Sequence, residues 1–142
     1  MNNFFEMKML SNGKNEAFAR SAVAAFSLPC APTVEEINDL KTAVSEAVTN
    51  AVVHAYQEDG GIIELLCEID EAKRSITVSI TDFGCGIPDV DAAKEPFYTT
   101  RPDDERSGMG FTIIETFTDE MAVRSKVGEG TTVTMKKVFK AC

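Results

Sequence analysis

Three short patterns in the sequence carry residue types that can do chemistry. Asp82-Phe83-Gly84-Cys85-Gly86 puts a carboxylate and two flexible glycines where a strand leaves a core. Ser107-Gly108-Met109-Gly110 puts glycines at a helix start, where backbone N–H groups point outward and can cradle a phosphate. Upstream, Glu46, Asn50 and His54 recur every four residues and form one polar stripe on a helix. On such a stripe Glu46 can act as a base and Asn50 can hold a metal. Each pattern alone also fits a plain turn or a solvated helix face. All three, in fixed order within one short chain, point to a nucleotide pocket.

The elements that must position these residues follow from hydrophobic periodicity. The run from Asp39 to Tyr56 reads as a helix whose other side carries Leu40, Val44, Ala47, Val48, Ala51 and Val52, a face suited to packing on a sheet. Thr33 followed by Glu36 is a capping-box pattern that starts this helix, and Gly60-Gly61 marks its end. Before it, Phe4 to Leu10 reads as a strand and Asn15 to Leu28 as a helix burying Phe18, Ala22, Ala25 and Phe26, closed by Pro29 and Pro32. After it, Ile62 to Ile69 and Ser75 to Asp82 read as a hairpin across the polar turn Asp70-Glu71-Ala72-Lys73. Period-two alternation puts Ile76, Val78, Ile80 and Asp82 on one face, so Asp82 points inward. A carboxylate there needs a donor, and an adenine amino group is a suitable one. Phe111 to Thr118 reads as a helix with Phe111, Ile114 and Phe117 inward, and Met121 to Lys126 and Thr131 to Phe139 as two strands joined by Gly128-Glu129-Gly130. The stretch from Ile87 to Ser107, with Pro88, Pro96 and Pro102, is too long for an ordinary connection and reads as a functional loop.

Composition narrows the function classes. The 142 residues, 44% hydrophobic and without a composition break, fit one domain with a real core. No run approaches the roughly 20 apolar residues of a membrane helix, and Met1-Asn2-Asn3-Phe4-Phe5-Glu6 lacks a secretion signal, so a cytoplasmic location is expected. A net charge of −9 argues against direct, charge-driven nucleic-acid binding, although an acidic chain suits a basic protein partner. Cys30, Cys67, Cys85 and Cys142 are scattered as free thiols, and a single histidine rules out a His-cluster metal site. The absence of Gly-Lys-Ser or Gly-Lys-Thr, and of a Gly-x-Gly following a strand in a βαβ unit, removes P-loop and Rossmann readings.

The segments Val44-Ser45-Glu46-Ala47-Val48-Thr49-Asn50-Ala51, Asp82 to Pro88, and Glu105-Arg106-Ser107-Gly108-Met109-Gly110-Phe111-Thr112 resemble the GHKL family of ATP-binding domains shared by gyrase, Hsp90, histidine kinases and anti-sigma kinases. Among these they look like the anti-sigma serine kinases, most closely the sporulation branch, with the general-stress branch, which shares all the ATP motifs, as the alternative. The resemblance covers nearly the whole chain, 1–142, as a single GHKL kinase domain. It implies an α+β fold, a two-layer α/β sandwich of the Bergerat type with a mixed sheet and helices on one face. It implies ATP or ADP as cofactor with Mg²⁺ held by Asn50, Glu46 as general base for a protein serine, and Arg106 balancing the phosphate charge. The nucleotide would be bound by Asn50, Asp82 at the adenine amino group, Gly84, Gly86, Ile87, Thr99 and Thr100 in the lid, Ser107, Gly108, Met109, Gly110 and Phe111 at the phosphates, and Thr131 and Thr132 on the adenine side. It further implies a homodimer that sequesters a sigma factor and phosphorylates an anti-anti-sigma protein, with Glu16 and Arg20 as partner contacts. A binding module that uses ATP only as a switch is the competing reading. A histidine-kinase fragment is disfavoured, because no phosphoacceptor helix pair fits in the chain.

Overall fold

The computed structural model describes residues 2–55, 61–94 and 110–140, with the backbone alone at His54 and Ala55. Strand β1 spans Asn3–Leu10, helix α1 Asn15–Phe26 and helix α2 Val34–Asn50. The hairpin strands β2 and β3 span Ile62–Asp70 and Ser75–Asp82. Helix α3, Val90–Ala93, and helix α4, Gly110–Phe117, precede the second hairpin, β4 at Glu120–Lys126 and β5 at Gly130–Val138.

The five strands form one sheet in the order β1-β2-β3-β5-β4, and every neighbouring pair is antiparallel. The expectation of a mixed sheet is corrected here. Strands β3 and β4 do run in the same direction, but β5 lies between them and pairs antiparallel with both, so no parallel ladder forms. The two-layer α+β architecture, with helices on one face, is as expected. Inward residues Ile63, Leu65, Cys67 and Ile69 of β2, Ile76, Val78 and Ile80 of β3, and Val133 and Met135 of β5 join Leu40, Val44, Ala47 and Val48 of α2 in one core. The outward positions of the central strands are polar, and hydroxyls pair across them: Ser79 with Thr134 at 3.1 Å and Thr81 with Thr132 at 2.9 Å.

Helix α2, the site's main support, starts where its capping box places it. The Thr33 hydroxyl accepts the Glu36 N–H at 3.1 Å, and the Glu36 carboxylate accepts the Thr33 N–H at 3.0 Å. Its C-terminal end departs from the expected α-helix running to Tyr56, because Ala51–Ala55 winds as a π-helix. The wider i→i+5 turn carries fewer degrees per residue, so the backbone at His54 leaves the stripe that Glu46 and Asn50 share.

Helix α1 also differs from expectation. Ala19 and Val23 are its fully buried residues, Phe26 packs edge-on against Phe5 with ring centroids 4.8 Å apart, and Phe18 is 62% exposed. Ala25 is exposed as well. Close approach of α1 to α2 selects the small residues for the contact face, and Phe18 lies one residue around the helix from it. The helix ends at Phe26, and Leu28–Cys30 forms a separate 3₁₀ turn around Pro29.

Thr33→Ala removes the hydroxyl that accepts the Glu36 N–H, at an end remote from the polar stripe, and keeps the backbone N–H that donates to the Glu36 carboxylate. It is expected to cost about 1 kcal/mol, a fall of roughly 3 °C in Tm by thermal unfolding, with nucleotide affinity unchanged.

Candidate nucleotide site

The chemistry-bearing residues gather on the helix-covered side of the sheet. Asp82 ends β3 on the same face as Ile80 and Val78 and is 7% exposed. Its Oδ1 accepts two backbone N–H groups, Gly84 at 3.0 Å and Thr131 at 3.2 Å. Among the described residues Oδ2 has no bond, which makes it the oxygen able to receive a donor from a ligand. Burial pushes the Asp82 carboxyl above the ordinary carboxylate range, and the Gly84 and Thr131 amides pull it partway back.

The glycine-rich loop after Asp82 is fixed by the β4–β5 hairpin. The Gly128 N–H donates to the Cys85 carbonyl at 2.9 Å, and the Ile87 N–H donates to the Ser125 hydroxyl at 2.7 Å. Gly86 has φ +78°, and a Cβ built on it would fall 2.3 Å from the Lys126 carbonyl oxygen, so only glycine lets the loop lie this close to β4. Ile87 is half-buried against the core, and Gly84 turns the chain back through its own N–H to Asp82.

Glu46 and Asn50 lie one turn apart on α2, both half-buried. The Asn50 Nδ2 is buried without a hydrogen-bond partner. Facing it is Gly110, the first residue of α4, where a Cβ would sit 2.9 Å from the Asn50 Oδ1. A side chain at 110 would fill the space in front of the amide, and glycine leaves it open. A buried, unsatisfied amide beside a helix N-terminus is a fitting receptor for an anion and its counter-cation. Phe111 and Ile114 anchor α4 in the core, with Phe117 packed partly against it.

Of the two adjacent threonines, only Thr131 belongs to this site. It is 7% exposed, and its N–H binds Asp82. The expectation that Thr132 also contacts the base is corrected: alternation along β5 turns Thr132 to the outer face, where it bonds Thr81. Thr99, Thr100, Arg106, Ser107, Gly108 and Met109 lie outside the described residues, as does the His54 side chain. Glu16 and Arg20 of α1 form an ion pair at 3.2 Å, and the second Glu16 oxygen accepts the Thr49 hydroxyl at 2.9 Å, tying α1 to α2 one residue before Asn50. Ser125 is the site residue that the sequence reading missed; it follows the inward Met121 and Val123 at period two, which was the available signal.

Residues 14–137 match the family described as the histidine kinase-like ATPase domain. The chain belongs to the histidine kinase-like ATPase family. Its similarity to proteins named "Anti-sigma F factor" is 53% identity over 140 residues in Clostridium novyi, 98% of this chain and 96% of that protein. It is 48% over 139 residues in Clostridium acetobutylicum, with the same 98% and 96% coverage. In Pasteuria penetrans it is 52% over 141 residues, covering 98% and 93%. Among solved structures, the RsbU and RsbW domains of a Mycobacterium tuberculosis protein share the fold, with a TM-score of 0.68 at 16% identity over 99% of this chain and 34% of that longer one. A blue-light activated histidine kinase domain from Erythrobacter litoralis aligns with a TM-score of 0.56 at 22% identity, over 89% of this chain and 60% of that one. Membership of an ATPase family implies that the chain binds a nucleotide. Among the described residues no helix is long and apolar enough to cross a membrane.

Two outcomes check this assignment. Thr131→Val is expected to weaken nucleotide binding about tenfold by calorimetry, the effect of one lost hydrogen bond in a desolvated site, while Thr132→Val changes it less than about twofold. The raised Asp82 carboxyl binds its proton more tightly in the folded chain than in the unfolded one. Stability without nucleotide therefore falls as pH rises from the ordinary carboxylate value through the raised one. Asp82→Asn removes that ionisation. Its Tm is expected to exceed that of the wild type most at neutral pH, with the gap closing as pH falls through that window, and to come with loss of nucleotide binding.

Proposed function

We propose that the chain is an ATP-dependent protein serine kinase that also acts as an anti-sigma factor. It binds and inhibits a sporulation sigma factor of the sigma F type, and it inactivates an anti-anti-sigma protein by phosphorylating one of its serines. The observation that carries the nucleotide half of this reading is the Asp82 carboxylate, buried on the inward face of β3 with two backbone N–H groups on Oδ1 and, among the described residues, no bond on Oδ2. The partner half is supported by relatives about half identical over nearly their whole length that bear the name Anti-sigma F factor.

In this reading Asp82 accepts the adenine amino group through Oδ2, and Thr131 completes the base contacts. Gly84, Gly86 and Ile87 shape the floor of the base pocket, and the first turn of α4, from Gly110 and Phe111, faces the phosphates. Asn50 would hold Mg²⁺ through its side-chain oxygen, the amide atom that can ligate a hard cation, and the ion when bound would supply charge neutralisation at the phosphates; the buried Nδ2, which has no partner inside the protein, is left to donate to a ligand oxygen. Among the described residues no three His, Cys, Asp or Glu side chains cluster as a metal site. Glu46, one turn before Asn50, accepts the proton of the incoming serine hydroxyl. By resemblance, Arg106 and Ser107 to Met109 serve the phosphates, Thr99 and Thr100 belong to the lid, and Glu16 and Arg20 meet the partner proteins. The reading includes a homodimer acting in the cytoplasm.

The test is transfer of the γ-phosphate from Mg-ATP to a candidate anti-anti-sigma protein. Wild type is expected to label one serine, with none labelled when that serine is alanine. Glu46→Gln is expected to lower transfer about 10²- to 10⁴-fold while retaining ATP affinity, as befits a general base. If wild type binds ATP and the sigma factor but labels no serine, the chain is an ATP-gated binding module and the kinase reading is lost.

A further inference from the structure

The Ser125 hydroxyl has three polar neighbours, and together they fix where every proton goes. The Ile87 N–H lies 2.7 Å away, the Gly130 carbonyl oxygen 3.1 Å and the Thr131 Oγ1 2.7 Å. A hydroxyl has one proton and two lone pairs. Ile87 can only donate, so it occupies one lone pair. Gly130 can only accept, so it takes the proton. One lone pair remains for Thr131, which must therefore donate. This allocation alone satisfies all three contacts, and it spends the single Thr131 proton on Ser125.

Thr131 then has only lone pairs left for a ligand. Beside it stands Asp82, joined to it through the Thr131 N–H at 3.2 Å, with Oδ2 equally limited to accepting while ionised. The base-binding rim is thus a pair of acceptors, although Thr131 by type could do either job.

We propose that Ser125 is the positioning residue that sets base specificity: by holding the Thr131 proton, it makes the rim acceptor-only and selects a purine with a 6-amino group over one with a 6-oxo group. The inference rests on the nucleotide reading above. An amino group brings two N–H donors to two acceptors. A 6-oxo group brings lone pairs against them, the kind of mismatch that leaves buried polar groups unpaired. Without the Ser125 oxygen the Thr131 hydroxyl turns freely and can donate to a 6-oxo group.

The experiment compares ATP and ITP affinities by calorimetry on the full chain, since ITP replaces the 6-amino group by oxygen, with N1 gaining a proton, and does not add the 2-amino group of guanine; comparing the ratio between variants cancels the N1 difference common to all of them. Ser125→Ala is expected to narrow the ATP-to-ITP affinity ratio about tenfold, chiefly by improving ITP binding. The pair Ser125→Thr and Ser125→Val, alike in shape, separates the hydroxyl from packing and serves if the alanine variant fails to fold. Threonine should keep the wild-type ratio, and valine should narrow it. Equal loss of both nucleotides in Ser125→Ala and Ser125→Val, with the ratio intact, would show that Ser125 merely braces the Ile87 loop and would overturn the proposal. Wild type binding neither nucleotide would overturn the nucleotide reading itself, and this inference with it.

Discussion

A carboxylate buried at the end of an apolar strand face is the constraint around which this molecule is arranged. Ionised and deprived of water, Asp82 is unfavourable unless donors reach it. The chain supplies two, from segments 47 residues apart: Gly84 just beyond β3 and Thr131 at the start of β5. Both fall on the same oxygen. The arrangement therefore does two things at once: it locks β3 to β5 at the site end of the sheet, and it leaves the other oxygen as an acceptor for a ligand. The same bond that stabilises the sheet edge of the pocket thus orients its recognition group.

The opposite wall follows a complementary rule. Helix α2 is held rigidly by its capping box and by burial of Leu40, Val44, Ala47 and Val48, yet at Asn50 it presents an amide with no internal partner, kept clear by the missing side chain of Gly110. One side thus carries an open acceptor at Asp82, and the other an unpartnered donor, the Asn50 Nδ2, beside the start of α4. The π-helical turn that follows Asn50 is the price of ending α2 there, since it shifts the backbone register out of the stripe.

Where local periodicity governs, the sequence could be read directly. Asp82 is inward because β3 alternates strictly, and Thr33 and Glu36 form the capping box their spacing requires. Where two solutions differ only in tertiary detail, it could not. Helix α1 is rich in alanine, so several faces look equally suited to burial, and only its fit against α2 chooses Ala19 and Val23 over Phe18. Thr131 and Thr132 are chemically identical neighbours, and the pairing of Asp82 with Thr131 across β3 and β5 decides which one enters the site. The parity of Ser125 was legible, but its role was not, because Ile87, Gly130 and Thr131 converge on it only when three segments meet.

The strand order carries a consequence for biosynthesis. Strand β5 follows β4 in the chain, yet it occupies the slot between β3 and β4, and it brings Thr131 to a carboxylate made 49 residues earlier. A nascent chain still missing residues 130–138 has Asp82 without its Thr131 donor, β3 with an open edge, and β4 without a neighbour. Such a chain is an incomplete sheet, open to pairing with other strands, until β5 inserts. The sheet and the donor set around Asp82 are thus completed in one step, when β5 takes its place.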